Sequence, residues 1–344
     1  MDWEQLDWTI LERLREKFLS GTAAAGPYWE SAADLATYDA TYGARIGWKW
    51  DAVLSELRLR RWRSTGGSAG SGRVTVLDWG CGSGVAGRRV TDFLGAGNVA
   101  ALQLWDHAPA AVSFAAARAR QVFPSLEVQT WQDTGGPVDV LVLSHVLNEL
   151  PPAAVAHLRH LIGRAGSVLW VEPGTHETSR HLQAWREEWR GEFQVVAPCP
   201  HAGPCGLLMP GHERHWCHHF APPPPGIFAD GNWVRFGQRA GIDLRSLPYS
   251  FLVLDRAAPA PPAGVARVIG RADVSKVGAR VLSCEAATTA ELTVPKRSAA
   301  ALVRQLDRAK GPLLYRWRRE ADRVTGGEPA FLPPGDTADP RADA

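Results

Sequence analysis

The sequence predicts an α/β fold: a doubly wound sheet, preceded by a helical N-terminal region and followed by a Cys-rich segment and a small β-rich C-terminal part. Three observations predict it. Short apolar runs alternate with helical patterns between residues 74 and 171. A glycine-rich turn follows the first of those runs. After residue 198 the texture breaks into Pro, Gly, His, Cys and Trp. Strands that alternate with helices pair in parallel, because each crossover carries a helix over a face of the sheet. The ligand site of such a sheet lies at the carboxyl ends of its strands.

Residues 1–64 form the helical region. Trp8, Ile10, Leu11, Leu14 and Phe18 recur at helical spacing, and a second helical stretch runs from about Tyr38 to Arg63. A Gly/Ser linker occupies residues 64–72. Residues 73–197 form the sheet domain, with strands at 74–78, 100–105, 138–143 and 167–171 and helices at 109–121 and 152–163. Residues 198–323 form the Cys-rich and basic region that completes the domain, with a strand at 251–254 and short strands joined by turns across 264–295. Residues 324–344 are Pro-, Gly- and Asp-rich and read as a disordered tail.

Composition narrows the function classes. The chain has 344 residues, 45% hydrophobic and 22% charged, and no apolar run approaches the roughly 20 residues that span a bilayer. The acidic opening Met1-Asp2-Trp3-Glu4-Gln5 has no features of a secretory or transit leader. The expected compartment is therefore the cytoplasm, and the expected state a monomer. Of the five cysteines, Cys81 lies in the glycine-rich turn, and in a reducing compartment the other four suggest metal ligands before disulfides. Net charge is +2 but unevenly spread, with fourteen Lys/Arg against six Asp/Glu between Arg256 and Arg323. A basic segment on an otherwise acidic chain suits a polyanion, RNA first; the alternative is a solvated basic face with no partner. Arg267, Arg271, Lys276, Arg280, Lys296 and Arg297 are the candidate phosphate contacts.

The strongest local motif is Leu77-Asp78-Trp79-Gly80-Cys81-Gly82-Ser83-Gly84. Glycines let the backbone turn sharply and approach a ligand. Asp78 ends the strand before them, and Asp106 ends the next strand, where a carboxylate can accept from two ribose hydroxyls. The pattern resembles class I S-adenosylmethionine-dependent methyltransferases. That resemblance implies that Gly80, Gly82 and Gly84 border the methionine moiety, that Asp106 holds the ribose, and that Trp131 or Gln132 lies near the adenine. Asp78 is a further cofactor-binding candidate, since a carboxylate at the strand end can hold a ligand's amino or water-bridged groups. After the fourth strand, Ser144-His145-Val146-Leu147-Asn148-Glu149-Leu150 offers His145, Asn148 and Glu149 as candidates to orient a nucleophile or accept a proton. The competing reading has Asn148 and Glu149 starting the next helix. No Asn-Pro-Pro-Tyr motif is present.

Cys199, Cys205 and Cys217 stand at C-x5-C-x11-C spacing, and Cys284 lies far downstream. Four thiolates can enclose an iron–sulfur cluster. Zinc is the competitor, kept open by His201, His218 and His219, although short Cys knuckles are missing. Together the glycine loop, His145–Leu150, Val171-Glu172-Pro173-Gly174-Thr175, the cysteine pattern and Phe251-Leu252-Val253-Leu254 resemble the mitochondrial small-ribosomal-subunit methyltransferase-like family, which has bacterial members. The family implies an rRNA methyltransferase or ribosome assembly factor acting on small-subunit rRNA, with a 4Fe-4S cluster on Cys199, Cys205, Cys217 and Cys284. Departures are Gly206 after the second cysteine and the missing Trp-Gly-Asp element near the C-terminus. Two other readings remain: a zinc-stabilised, active rRNA methyltransferase, and a radical S-adenosylmethionine enzyme. The last fits poorly, since four Cys ligands leave no open iron.

Overall fold

The computed structural model describes residues 3, 6–19, 29–64, 72–286, 288–309 and 311–331. Residues 65–71 of the expected linker and the tail beyond 331 lie outside the described residues. The chain begins with α1 (Trp8–Leu19) and α2 (Ala32–Tyr38). Ser31 caps α2 by accepting from the Asp34 amide, satisfying one of the orphan N–H groups of a helix start. A π-helical turn, Asp39–Gly43, leads directly into α3 (Ala44–Leu59). Ile46, Trp50, Val53, Leu54 and Leu57 recur at helical spacing and form the buried stripe of α3.

The sheet follows: β1 (Val74–Trp79), α4 (Val85–Leu94), β2 (Val99–Trp105), α5 (Pro109–Val122), β3 (Glu127–Thr130), β4 (Val138–Ser144), α6 (Pro152–Arg164), β5 (Ala165–Pro173), α7 (His176–Trp189), β6 (Gln194–Ala197), β7 (His219–Phe220), α8 (Gly231–Ala240) and β8 (Pro248–Asp255). The strand order is β3-β2-β1-β4-β5-β8-β6, with β7 paired to β8. From β3 to β5 every pairing is parallel, and β4 is buried from Val138 to Leu143, as a strand covered on both faces must be. One apolar layer gathers α3, α4 and α5 on one face, and a second gathers α6 and α7 on the other. The expected parallel run ends at β8, which is antiparallel to both β5 and β6. An antiparallel neighbour needs no helical crossover.

The C-terminal part is β9 (Ala266–Val274), β10 (Gly278–Cys284), β11 (Thr289–Pro295), α9 (Lys296–Arg308), β12 (Leu314–Glu320) and β13 (Arg323–Pro329). These five strands close a barrel in the order β10-β11-β13-β12-β9. β11 and β13 are parallel and the other neighbours antiparallel. A helix between the third and fourth strands and a parallel 3–5 pairing are the connectivity of an OB-fold. Val268, Val281, Leu292, Val294 and Val324 fill the barrel with Leu302, Val303 and Leu306 of α9. The expectation of disorder from residue 324 is therefore corrected: Arg323–Pro329 is the strand that closes the barrel, and closure removes the open edge it would otherwise leave.

Sheet and barrel meet at a buried ionic junction. Glu56 Oε1 on α3 accepts from Arg60 Nε at 2.8 Å and from the guanidinium of Arg267 on β9. Arg267 Nε donates to the Pro198 carbonyl at 2.7 Å, and Arg60 donates to the carbonyls of Val196 and Pro198. Arg267 is thus buried and committed to Glu56, which removes it from the set of exposed phosphate contacts. Arg271, Lys276, Arg280, Lys296 and Arg297 are exposed.

Candidate cofactor-binding site

The glycine loop connects β1 to α4 at the carboxyl end of the sheet. Gly80, Gly82 and Gly84 all have positive φ, at 73°, 50° and 76°. Two of them are also closely packed: a Cβ at Gly80 would lie 2.8 Å from Val146 Cγ1, and one at Gly84 2.7 Å from the Ala115 Cβ. Only glycine meets both demands. The middle position, Gly82, has open space above it.

Two carboxylates organise this loop. Asp106, just past β2, accepts from Gly82 N through Oδ2 and from Ala108 N through Oδ1, each at 2.9 Å. A carboxylate has about four acceptor sites, so these bonds leave room for a ligand hydroxyl. Asp78 is fully buried, and its Oδ2 accepts from Gly87 N at 2.9 Å near the start of α4. Its Oδ1 has no hydrogen-bond partner among the described residues. Burial pushes the Asp78 carboxyl up to about 7. Cys81 is buried, and burial raises its thiol well above the usual range.

Aromatic rings wall the same edge. Trp79 and Trp105 stack with centroids 4.7 Å apart, and the His157 ring lies 6.1 Å from Trp79 and 6.2 Å from Trp131. Trp131 is half-buried and Gln132 exposed. The wall is apolar where Trp131 faces it and wet where Gln132 stands.

The segment after β4 is held by Glu172, the penultimate residue of β5. Glu172 Oε1 accepts from the amides of Val146 and Leu147 and from Trp170 Nε1. Its Oε2 has no hydrogen-bond partner among the described residues, and burial raises the carboxyl to about 7. His145 has a left-handed backbone, φ 59°, uncommon for a non-glycine residue. Its Nε2 lies 3.5 Å from Lys49 Nζ of α3. Burial and the Lys49 charge hold the imidazole well below its ordinary range, and burial with the Arg45 charge brings Lys49 down to about 7. Asn148 Oδ1 accepts from Thr178 Oγ1 and so ties this segment to α7. Glu149 ends a short 3-10 turn, half-buried, and adds to the desolvation that raises the phenol of the half-buried Tyr38.

Sequence reasoning named His145, Asn148 and Glu149 but missed Lys49 and the role of Glu172. A lysine between Trp48 and Trp50 on a helix with a buried stripe was the available signal for Lys49. Glu172 stood in the Val171–Thr175 motif but carried no assigned task.

The four cysteines do come together. Cys199, Cys205, Cys217 and Cys284 line one small cavity with Arg186, Arg267 and His201. All are free thiols. Yet among the described residues no group of three or more His, Cys, Asp or Glu side chains could hold a metal ion. The expected 4Fe-4S cluster, its zinc alternative and the metal-cluster insertion are corrected accordingly, and the zinc-stabilised and radical readings fall with them. Two of the four thiols lie beside imidazoles: Cys284 Sγ is 3.5 Å from His201 Nε2, and Cys217 Sγ 3.7 Å from His219 Nε2. Burial raises the thiols of Cys205 to about 11 and Cys284 to about 12, and lifts that of Cys217 well above the usual range.

A parallel sheet with a glycine loop after its first strand, an acid after its second and an antiparallel edge defines a Rossmann-like domain of the class I methyltransferase type. The profile of one family, described as mitochondrial small ribosomal subunit Rsm22, matches residues 89–322. The match covers more than half of the chain, and the chain belongs to this family. That description overturns the expected cytoplasmic location, which rested on the composition of the N-terminus; such composition reports on a leader and not on a compartment. No curated protein sequence matches the chain. Similar solved structures include a plantazolicin methyltransferase in complex with SAH, 11% identical over 72% of this chain and 99% of that one, with a TM-score of 0.38. Another is magnesium protoporphyrin IX methyltransferase from Synechocystis PCC 6803 with bound SAH, 14% identical over 71% and 98%, TM-score 0.36. No helix among the described residues is long and apolar enough to cross a membrane.

Proposed function

We propose that the chain binds S-adenosylmethionine at the carboxyl end of its sheet and acts as a methyltransferase on small-subunit rRNA during ribosome assembly. The observation that carries the cofactor is the bond from Gly82 N to Asp106 Oδ2. It sets a carboxylate for the ribose beside a loop in which Gly82 leaves space for the methionine moiety. Trp131 would flank the adenine, and Asp78 would anchor the loop from beneath. The bound cofactor would supply a methyl group on a sulfonium. The chain's own residues would place the acceptor near His145 and Lys49, and Lys49, whose amine burial and the Arg45 charge bring down to about 7, would take the proton beside a neutral His145 imidazole. The rRNA partner is carried over from the family description, and the exposed basic residues of the barrel support it.

The test is calorimetric titration of S-adenosylmethionine into wild type and Asp106→Ala, followed by transfer of labelled methyl to purified small-subunit rRNA. Losing hydrogen bonds to a charged group costs about 1.5–3 kcal/mol, so Asp106→Ala should bind roughly ten- to a hundredfold more weakly. Equal affinity would refute the ribose assignment. Tight cofactor binding with no label in rRNA would leave a cofactor-dependent assembly factor and remove the enzymatic claim.

A further inference from the structure

We propose that one end of the barrel binds the phosphate backbone of RNA without reading its bases. The inference rests on the rRNA reading above and names the surface that serves it. In OB-folds, oligonucleotides lie over the second and third strands and between the loops joining strands 1–2 and 4–5. Here half of that face is covered. Leu282 and Cys284, on the outside of β10, pack with Leu207, Cys205 and Cys217. Glu291 on β11 pairs with Arg214 at 2.8 Å. A strand of RNA cannot lie across that half.

The other half is open and basic. Register places Arg280 opposite Thr293 and Thr293 opposite Arg323, a row across β10, β11 and β13. The Thr293 amide donates to the Asp322 carbonyl, which brings the β12–β13 turn to this row. The Lys296 amide donates to the Val277 carbonyl, which brings the start of α9 against the β9–β10 turn. Lys276, Arg280, Lys296, Arg297 and Arg323 are all exposed at this rim. Among the described residues only Arg280 of the five has an ion pair, with Asp273 at 2.7 Å, and both of its side chains are largely exposed. An exposed pair contributes little and can be exchanged for a phosphate.

Among the described residues, the rim has no aromatic platform. Tyr315 and Trp317 of the barrel stack on each other at 4.7 Å, Trp317 Nε1 donates to Ser283 Oγ, and Phe331 lies against Arg60. Sequence-tolerant single-strand binding usually draws on base stacking as well as charge. Without it, affinity here comes from phosphate contacts alone, and salt removes it steeply.

The experiment is fluorescence anisotropy of the full chain with labelled twelve-nucleotide oligouridylate and oligoadenylate across a salt series. Wild type is compared with a variant carrying Lys276→Glu, Arg280→Glu, Lys296→Glu, Arg297→Glu and Arg323→Glu, and with an Arg316→Glu, Arg318→Glu control on the β12 outer face. S-adenosylmethionine titration of each protein reports that the sheet is folded. The rim variant should bind at least tenfold more weakly, with a log–log salt slope shallower by about 0.7 for each phosphate it no longer neutralises. The control should keep most of its affinity, and the two oligomers should bind alike. A rim variant that binds both oligomers as wild type does would overturn the rim and leave the rRNA reading standing. A tenfold preference for one oligomer would overturn the backbone-only mode. Failure of wild type to bind either the oligomers or small-subunit rRNA would remove both the surface and the rRNA reading.

Discussion

At the junction of sheet and barrel, burial works to raise the Glu56 carboxyl, but the Arg267 and Arg60 charges overcome it and hold the group below its usual range. At the carboxyl edge of the sheet, Asp78 and Glu172 are equally buried, but their hydrogen bonds come from amides and an indole, and both rise to about 7. The first region spends its buried charges on one another and so joins two parts of the chain. The second keeps carboxyl groups poised between protonation states around a loop shaped for a ligand. These three buried acids, alike in the sequence, are therefore sorted by whether a cation hydrogen-bonds to them: Glu56, bonded by Arg60 and Arg267, joins sheet to barrel, and Asp78 and Glu172, bonded by amides and an indole, flank the candidate site.

The sharpest way to break this contrast is Glu56→Ala. It leaves two buried guanidiniums without a counter-charge and should cost about 3–5 kcal/mol, read as a lower urea midpoint. An unchanged midpoint would mean that the junction does not hold the barrel to the sheet. Next is pH. Asp78 and Glu172 have raised folded values, so the folded chain binds more protons than the unfolded one between about pH 4 and 7. Stability from these groups is present at low pH and is lost as pH rises toward 7, by up to about 1.4 kcal/mol per unit for each. Glu56 has the opposite sign, and its contribution is lost as pH falls below about 4. A melting-temperature profile should therefore peak near pH 5, and Glu172→Gln should flatten its neutral limb. Lys49→Met removes an amine held down near 7 and should raise stability at pH 6 by about 1 kcal/mol, seen in the same melts. Arg280→Ala, an exposed pair, should change stability by less than about 0.5 kcal/mol; a larger loss would mean that the barrel rim is part of the core architecture.

Much of the sheet was legible because its strands are short apolar runs with both faces covered. Val74 to Leu77 and Val140 to Leu143 could hardly be anything else. The barrel was less so. β12 reads Leu-Tyr-Arg-Trp-Arg-Arg-Glu, and β13 contains Gly326, Gly327 and Pro329; each buries one side only, and its composition imitates a solvated tail. Arg267 was misread for a related reason. Its charge resembles that of its exposed neighbours, and the partner that buries it lies 211 positions earlier. Spacing did point to the four cysteines that share a cavity, but it could not reveal that imidazoles would occupy two of the thiols. Nor could it show Lys49 beside His145, since their meeting depends on how α3 crosses the strand ends.

The position of β8 has a consequence for the order in which the chain is made. β8 lies between β5 and β6 and pairs with both, yet it leaves the ribosome after them. At synthesis rates of roughly 5–20 residues per second, the outer flank of β5 and all of β6 wait several seconds for the strand that joins them. During that interval the nascent chain exposes an unpaired, apolar strand edge, the kind of surface that recruits the wrong partner. Productive folding then depends on shielding this edge until residue 255 has emerged, so a pause in translation shortly before β8 should lower the yield of soluble protein more than the same pause placed after it.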